Sequence, residues 1–220
     1  MSEPLSSGAQ KDSAFAALRQ FARKRPAAER CELCSADLPS EHQHLIDPAA
    51  HKLVCACDAC AILFSSQSTA KFKRVPRRIR FLPNFRMTDA QWDGLMVPIE
   101  LAFFFKSGGP GKVSAFYPGP AGATESLLSL EAWDDIEHGN LSLKEMEPEV
   151  EALLANRVGA ARGIAAQYYI VPIDECYKLV GLIRLNWHGL SGGTEVWREV
   201  AKFFSGLKNR AETISGESNA

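Results

Sequence analysis

The stretch ERCELCSADLPSEHQHLIDPAAHKLVCACDAC, residues 29–60, decides the fold of the first part of the chain because it holds five of the six cysteines. Cys31 and Cys34 form one C-x2-C pair, and Cys57 and Cys60 form a second pair about 20 residues later. Two thiolates three positions apart on a tight turn both reach one ion at the Zn–S distance of about 2.3 Å. The spacing therefore predicts a Zn²⁺ site with these four thiolates as ligands.

The residues between and after the two pairs predict the fold of this metal-binding module. Polar and apolar residues alternate around Pro48, which is typical of a β-hairpin. The second pair leads into ACAILFSS, residues 59–66, which predicts a helix whose N-terminus favours thiolate over thiol. A C-x2-C turn, a hairpin and a helix in this order indicate a zinc ribbon or treble clef. A closed shell of four thiolates indicates a structural ion and not a catalytic one.

Cys55 leaves the choice of the third ligand open, because it precedes Cys57 by only two positions. It replaces Cys57 in one interpretation and lies buried as a small apolar residue in another. In a third interpretation it completes a set of four for an iron–sulfur cluster. His42 and His44 are further candidate ligands, but we expect them at the surface or beside the ligands, since four thiols already suffice.

Two alternative functions follow from the same module. The first is electron transfer by a rubredoxin-like iron site, which is weakened because Ser35 and Ala61 stand where such sites usually have glycine. The second is a zinc-supported nucleic-acid binder or nuclease, because the module resembles that of HNH nucleases. Residues 42–47, HQHLID, are the only match to their histidine base and metal ligand, and the expected Asn is absent.

The chain as a whole is predicted to be an α+β protein in which a small zinc-ribbon or treble-clef module precedes a mixed α/β domain. The predicted organisation is residues 1–29 as a tail with a short helix over 14–24, residues 30–66 as the cysteine-rich module, residues 67–87 as a basic connector, residues 88–210 as the mixed domain and residues 211–220 as a loose tail.

Local patterns predict the elements of the mixed domain. Strands are predicted over 113–119 and 167–173, a helix over 148–159, and either a helix or a strand over 99–105. Further helices are predicted after the capping residues Thr88, Asp174 and Thr194.

Two segments carry opposite charge. Residues 66–86 contain seven lysines and arginines with no acidic residue, and residues 125–151 contain nine acidic residues and only one lysine. Three interpretations are open: the two segments are solvated surfaces, they dock on one another, or one of them contacts a partner. The net charge of −1 gives no global attraction to nucleic acid, so we expect none as a partner.

The remaining candidate chemistry does not indicate an enzyme. Cys176 has acidic neighbours that raise a thiol pKa, and it is predicted to lie in the core. No spacing indicates a Ser–His–Asp or paired-carboxylate site, so neither catalytic nor cofactor-binding residues are predicted.

The compartment follows from two absences in the sequence. The N-terminus has no basic start and no apolar segment, so no secretory signal is predicted. The longest apolar run, residues 101–105, is far shorter than the roughly 20 residues of a membrane span. A cytoplasmic location is expected, where clustered cysteines bind metals more often than they form disulfides.

Taken together, several segments resemble an uncharacterised bacterial family whose genes often lie near those for [NiFe]-hydrogenases. The resembling segments, within residues 28–207, are ERCELC, LVCACDACAILF, MTDAQWDGLMVPIELAFFF, AFYPGPAGATESLL, VEALLANR, VPIDECYKLVGLIR and GLSGGTEVWREVAKFF. The resemblance implies a cytoplasmic accessory role in hydrogenase expression, maturation or assembly, with a hydrogenase subunit or maturation factor as the protein partner.

Overall fold

The structure is a computed structural model, which describes residues 29–50, 52–66, 70–107, 112–126, 130–189 and 192–214. The strands are β1 (Gln43–Asp47), β2 (Lys52–Ala56), β3 (Lys73–Arg74), β4 (Arg80–Phe81), β5 (Leu101–Lys106), β6 (Val113–Gly119), β7 (Gly122–Ser126), β8 (Glu151–Asn156), β9 (Gln167–Pro172) and β10 (Glu212–Thr213). The helices are α1 (Asp58–Ser65), α2 (Asp89–Gly94), α3 (Leu130–Gly139), α4 (Ile173–Asn186) and α5 (Gly193–Arg210), with 3₁₀ turns at Leu141–Glu145 and Ala160–Arg162. The predicted helix over 14–24 lies outside the described residues.

The N-terminal module is a three-stranded sheet in the order β2-β1-β3. In the chain, α1 lies between β2 and β3. β1 and β2 form the antiparallel hairpin expected around Pro48, with Leu45 opposite Val54. The apolar side chains of the hairpin and of α1 pack into a small core beside the cysteines. The predicted hairpin and the predicted helix after the second cysteine pair are both confirmed.

The mixed domain is built on a seven-stranded sheet in the order β10-β4-β9-β8-β5-β6-β7. Neighbouring strands are antiparallel except β10 and β4, which run parallel. Residues 212 and 213, in the segment predicted as a loose tail, thus form the edge strand of this sheet. The sheet extends into the basic connector, which contributes β3 to the small sheet and β4 to the large one.

Helices cover both faces of the large sheet. Alternate residues of β5, β8 and β9 face one apolar core that includes α4 and α5, and the residues between them face a second core that includes α2 and α3. Because both faces are covered, the central strands are apolar at nearly every position. The fold is therefore α+β, as predicted, with helices on both sides of the sheet.

This arrangement explains which predicted elements were correct. The strands over 113–119 and 167–173 are confirmed as β6 and β9, and the segment 99–105 contains a strand, β5. The helix predicted over 148–159 is wrong, because the segment forms β8. Val150, Leu153 and Leu154 have helical spacing, but Val150 and Leu154 face one core and Leu153 faces the other.

Of the three predicted helix-capping residues, one is confirmed and two are wrong. The capping box is confirmed: the N–H of Gln91 donates to Thr88 Oγ1 at 3.1 Å, and Gln91 Oε1 accepts from the Thr88 N–H at 2.9 Å. The other two caps are wrong, because α4 begins at Ile173 after Pro172 and α5 begins at Gly193 after Gly192. Asp174 therefore lies inside the first turn of α4, where its carboxylate contacts His44 of β1.

The basic connector docks on the acidic segment. Glu151 is fully buried in β8, and its carboxylate accepts from Arg78 at 2.7 Å and from Arg80 at 3.0 Å. Lys73 forms a further ion pair with Glu149 at 3.2 Å. Of the three interpretations of these charged segments, mutual docking is therefore confirmed for these residues.

Candidate metal centre

The first cysteine pair lies on a tight turn closed by backbone hydrogen bonds. The N–H of Cys31 donates to the Ala36 carbonyl at 2.8 Å, and the N–H of Ser35 donates to the Cys31 carbonyl at the same distance. Ser35 has φ 62°, the left-handed conformation that glycine adopts most easily. Rubredoxin-like sites usually have glycine at this position. Ser35 adopts the same turn conformation, so the serine after Cys34 does not prevent the turn.

The second pair lies at the N-terminus of α1. Cys57 is the residue before the helix, its carbonyl accepts from the Ala61 N–H at 2.8 Å, and Cys60 is in the first turn. Unpaired N–H groups and the helix dipole favour negative charge at this end of a helix. The helix N-terminus therefore favours thiolates in this pair, although burial opposes it at Cys60 by raising the pKa of that thiol.

The fold brings the sulfurs of Cys31, Cys34, Cys57 and Cys60 together, all within 4.8 Å of one another. The sulfurs of Cys34 and Cys57 are 3.7 Å apart, close to the separation of about 3.8 Å that tetrahedral Zn–S bonds of 2.3 Å require. Cys55 is outside this group. The four cysteines are thus positioned to bind a metal ion, and the geometry selects Cys57 over Cys55 as the third member.

The electrostatics of the cluster are uneven. Burial raises the pKa of Cys31, but the N–H groups of Cys57, Leu33 and Cys34 donate to its sulfur and lower its pKa to about 6. Burial and the neighbouring thiols raise the pKa of Cys60 to about 12. The sulfur of Cys31 is therefore ready to ligate at neutral pH, and a bound cation would favour the thiolate form of Cys60.

Glu32 joins the first cysteine turn to β2. Its carboxylate accepts from the Cys55 N–H at 2.9 Å and from Lys52 at 3.1 Å, and its own N–H donates to the Cys55 carbonyl. These contacts, the Cys55 amide first, lower the pKa of Glu32 although burial opposes them. The Glu32 carboxylate therefore links the turn of the first cysteine pair to the strand that leads to the second pair.

The other candidate residues lie in two different places. Cys176 is fully buried in the core, and burial, followed by the charges of Asp174 and Glu175, raises the pKa of its thiol, as predicted. Cys55 lies with His42 and His44 in a second group whose ligand atoms are within 4.8 Å of one another. From the sequence, Cys55 is an alternative ligand of the four-cysteine site, and His42 and His44 are further ligand candidates or a partial HNH match. The sequence does not predict that the three form a group of their own.

The sequence indicates two of the three residues of this second group, His42 and His44. His42 and His44 are two positions apart in a predicted hairpin strand, so they share a face. Placing Cys55 opposite His44 requires the register of the hairpin, which became clear only from the folded strands.

The fold and the four-cysteine cluster define an α+β protein whose N-terminal module is positioned to bind a metal ion. Residues 30–211 match a family described as a family of unknown function, DUF5947, and because the match spans most of the chain, the protein belongs to that family. Comparisons with curated proteins and with solved structures each found no match. Within the described residues, none of the helices has the length and apolar character needed to cross a membrane.

Proposed function

We propose that the protein is a cytoplasmic accessory factor that binds Zn²⁺ through Cys31, Cys34, Cys57 and Cys60 and contacts another protein. The four clustered sulfurs are the observation that carries the metal assignment. Four thiolates complete a tetrahedral shell, so this ion has no open position for substrate and its role is to hold the module together. The six cysteines are free, which fits a reducing compartment.

Metal analysis tests the identity of the ion. We expect the purified protein to be colourless and to retain one zinc per chain after dialysis against a weak chelator, because a closed thiolate shell binds zinc tightly. The measurement is elemental mass spectrometry together with a visible spectrum. A red or brown protein with iron as the retained metal would contradict the assignment.

The iron alternative has one observation in its favour. Backbone N–H groups donate to the sulfur of Cys31, and the amide of Ala36 donates to that of Cys34. Such donors tune the potential of iron–sulfur centres, and the left-handed Ser35 supplies the turn that glycine usually makes. A rubredoxin-like electron carrier is therefore our second candidate, and the same spectrum separates it from the zinc protein.

The proposed protein contact has support next to the metal cluster. Ile62, Leu63 and Phe64 follow Cys60 on α1 and are 60%, 66% and 41% exposed. Consecutive exposed apolar side chains are typical of contact surfaces. We assign this surface, Ile62–Phe64, to an apolar patch on a hydrogenase subunit or maturation factor, and the hydrogenase link rests on the sequence resemblance alone.

Co-purification tests this assignment. From cells grown with hydrogen, the tagged wild-type protein is expected to retain a hydrogenase subunit or maturation factor, identified by mass spectrometry, and Leu63→Ser is expected to lose it. Leu185→Ser is the matched control, because Leu185 is 82% exposed on α4, outside the surface. Absence of every hydrogenase-related protein from the wild-type sample, or equal recovery with Leu63→Ser, would refute the assignment.

Nucleic-acid binding by an HNH-like module is the weaker alternative. Lys73, Arg78 and Arg80 of the connector are engaged by Glu149 and Glu151. These ion pairs reduce the positive charge that the connector offers to phosphates.

A further inference from the structure

We propose that His42, His44 and Cys55 form a second metal site, which holds Zn²⁺ or a similar divalent transition-metal ion and keeps one coordination position open to a cavity. Each residue offers one ligand atom, and these atoms lie within 4.8 Å of one another. The site is separate from the four-cysteine cluster and does not depend on the function proposed above.

The hairpin register places His44 and Cys55 side by side, with His42 next to them. His44 in β1 is directly opposite Cys55 in β2. His42 lies one residue before β1, and the centroids of the His42 and His44 imidazole rings are 4.8 Å apart. The paired strands thus hold His44 and Cys55 on one side of the hairpin, and His42 lies beside them just before β1.

His44 is oriented for metal binding by a carboxylate from a distant part of the chain. Its Nδ1 lies 2.9 Å from Oδ2 of Asp174, in the first turn of α4. The Asp174 carboxylate accepts a hydrogen bond from Nδ1–H, which keeps the proton on Nδ1 and leaves the lone pair of Nε2 for a metal. Metal-ligating histidines usually donate their other N–H in this way, so the pair matches a carboxylate–histidine–metal arrangement.

His42 supplies an independent indication of a missing ligand. Its Nδ1 is 3.0 Å from the Pro39 carbonyl, which only accepts, so in the neutral imidazole Nδ1 carries the proton and Nε2 carries a lone pair. The His42 side chain is 6% exposed, and its Nε2 is buried without a hydrogen-bond partner among the described residues. An unpaired buried acceptor is costly, and a bound cation would satisfy it.

The surroundings leave room for an exchangeable ligand. His42, His44 and Cys55 line a cavity of about 480 Å³ between the hairpin, the connector and α4, together with Arg77 and Asp174. A site with three protein ligands and an open position binds water or a small molecule as its fourth ligand, unlike a closed structural site. Two imidazoles and one thiolate suit zinc and cobalt better than magnesium or calcium.

Cobalt binding to the zinc-containing protein tests the proposal. After loosely bound metal is removed by a weak chelator, Co²⁺ is expected to bind with one equivalent and to give a thiolate-to-cobalt charge-transfer band. Cys55→Ser is expected to abolish that band and His42→Gln to weaken binding strongly, because each removes a ligand. Asp174→Asn, which removes the support of His44, is expected to weaken binding by about 10- to 100-fold.

The controls separate this site from the four-cysteine cluster. His138→Gln, on the exposed side of α3, should leave cobalt binding unchanged. Each variant should keep its tightly held zinc and the circular dichroism spectrum of the wild type. Absence of a cobalt band in the wild type, or equal bands in all variants, would overturn the second site. Loss of the tight zinc from Cys55→Ser would instead assign Cys55 to the first site and overturn both ligand sets.

Discussion

Cys57→Ser is expected to release the tightly held metal and to unfold the first cysteine turn, β2 and α1. The apolar core of this module is small, consisting mainly of Leu45, Val54 and Ala61 with a few neighbours. Structural zinc contributes on the order of 10 kcal/mol or more to the folding of such modules. Hydrogen exchange is the measurement: the amides of β2 and α1 should lose protection, whereas those of β8 and β9 should keep theirs.

The neighbouring substitution Cys55→Ser provides the matched control for Cys57→Ser. Both remove one thiol from the same short segment, but only Cys57 lies with Cys31, Cys34 and Cys60. Cys55→Ser should therefore retain one zinc per chain and the protection of β2 and α1. If the two variants exchange these outcomes, Cys55 is the third ligand, and the selection of Cys57 is refuted.

Glu151→Ala is expected to destabilise the large sheet by about 3–5 kcal/mol. The Glu151 carboxylate is fully buried and accepts from Arg78, Arg80 and the N–H of Glu147. Among the residues that the structure describes, its removal leaves the exposed Glu145 as the one acidic partner of the buried Arg80 guanidinium. For a chain of this size the loss corresponds to a fall of about 6–20 °C in Tm, measured by calorimetry.

Glu145→Ala tests whether burial causes this effect. Glu145 binds the same Arg80 at 3.3 Å, but its side chain is 72% exposed, so its removal should cost no more than about 1 kcal/mol. A similar loss of stability in both variants would show that the number of ion pairs matters and their burial does not. A Glu151→Ala protein as stable as the wild type would refute the prediction.

The misassigned strand shows a limit of periodicity. Residues 151–156, EALLAN, are buried at five of six positions because helices cover both faces of the sheet. A strand covered on both sides loses the alternation of polar and apolar residues, and a short apolar run then resembles a helix. By contrast, β6 alternates buried and partly exposed residues over most of its length, and its strand was predicted correctly.

The sequence by itself determined the four-cysteine module. Each ligand pair is local, the two pairs are joined by one hairpin, and short-range spacing is enough to predict that four thiols meet. It also determined the capping box at Thr88, whose hydrogen bonds span three residues.

Only the tertiary structure showed that Cys57, and not Cys55, lies with the other three cysteines. It brought Asp174 within hydrogen-bond distance of His44, 130 positions away in the chain, and Glu151 to Arg78 and Arg80. Such contacts depend on strand register and on helix packing across the sheet, which single-residue patterns do not encode. The meeting of two cysteine pairs is therefore a property of local sequence, whereas the proposed open site exists only in the folded chain.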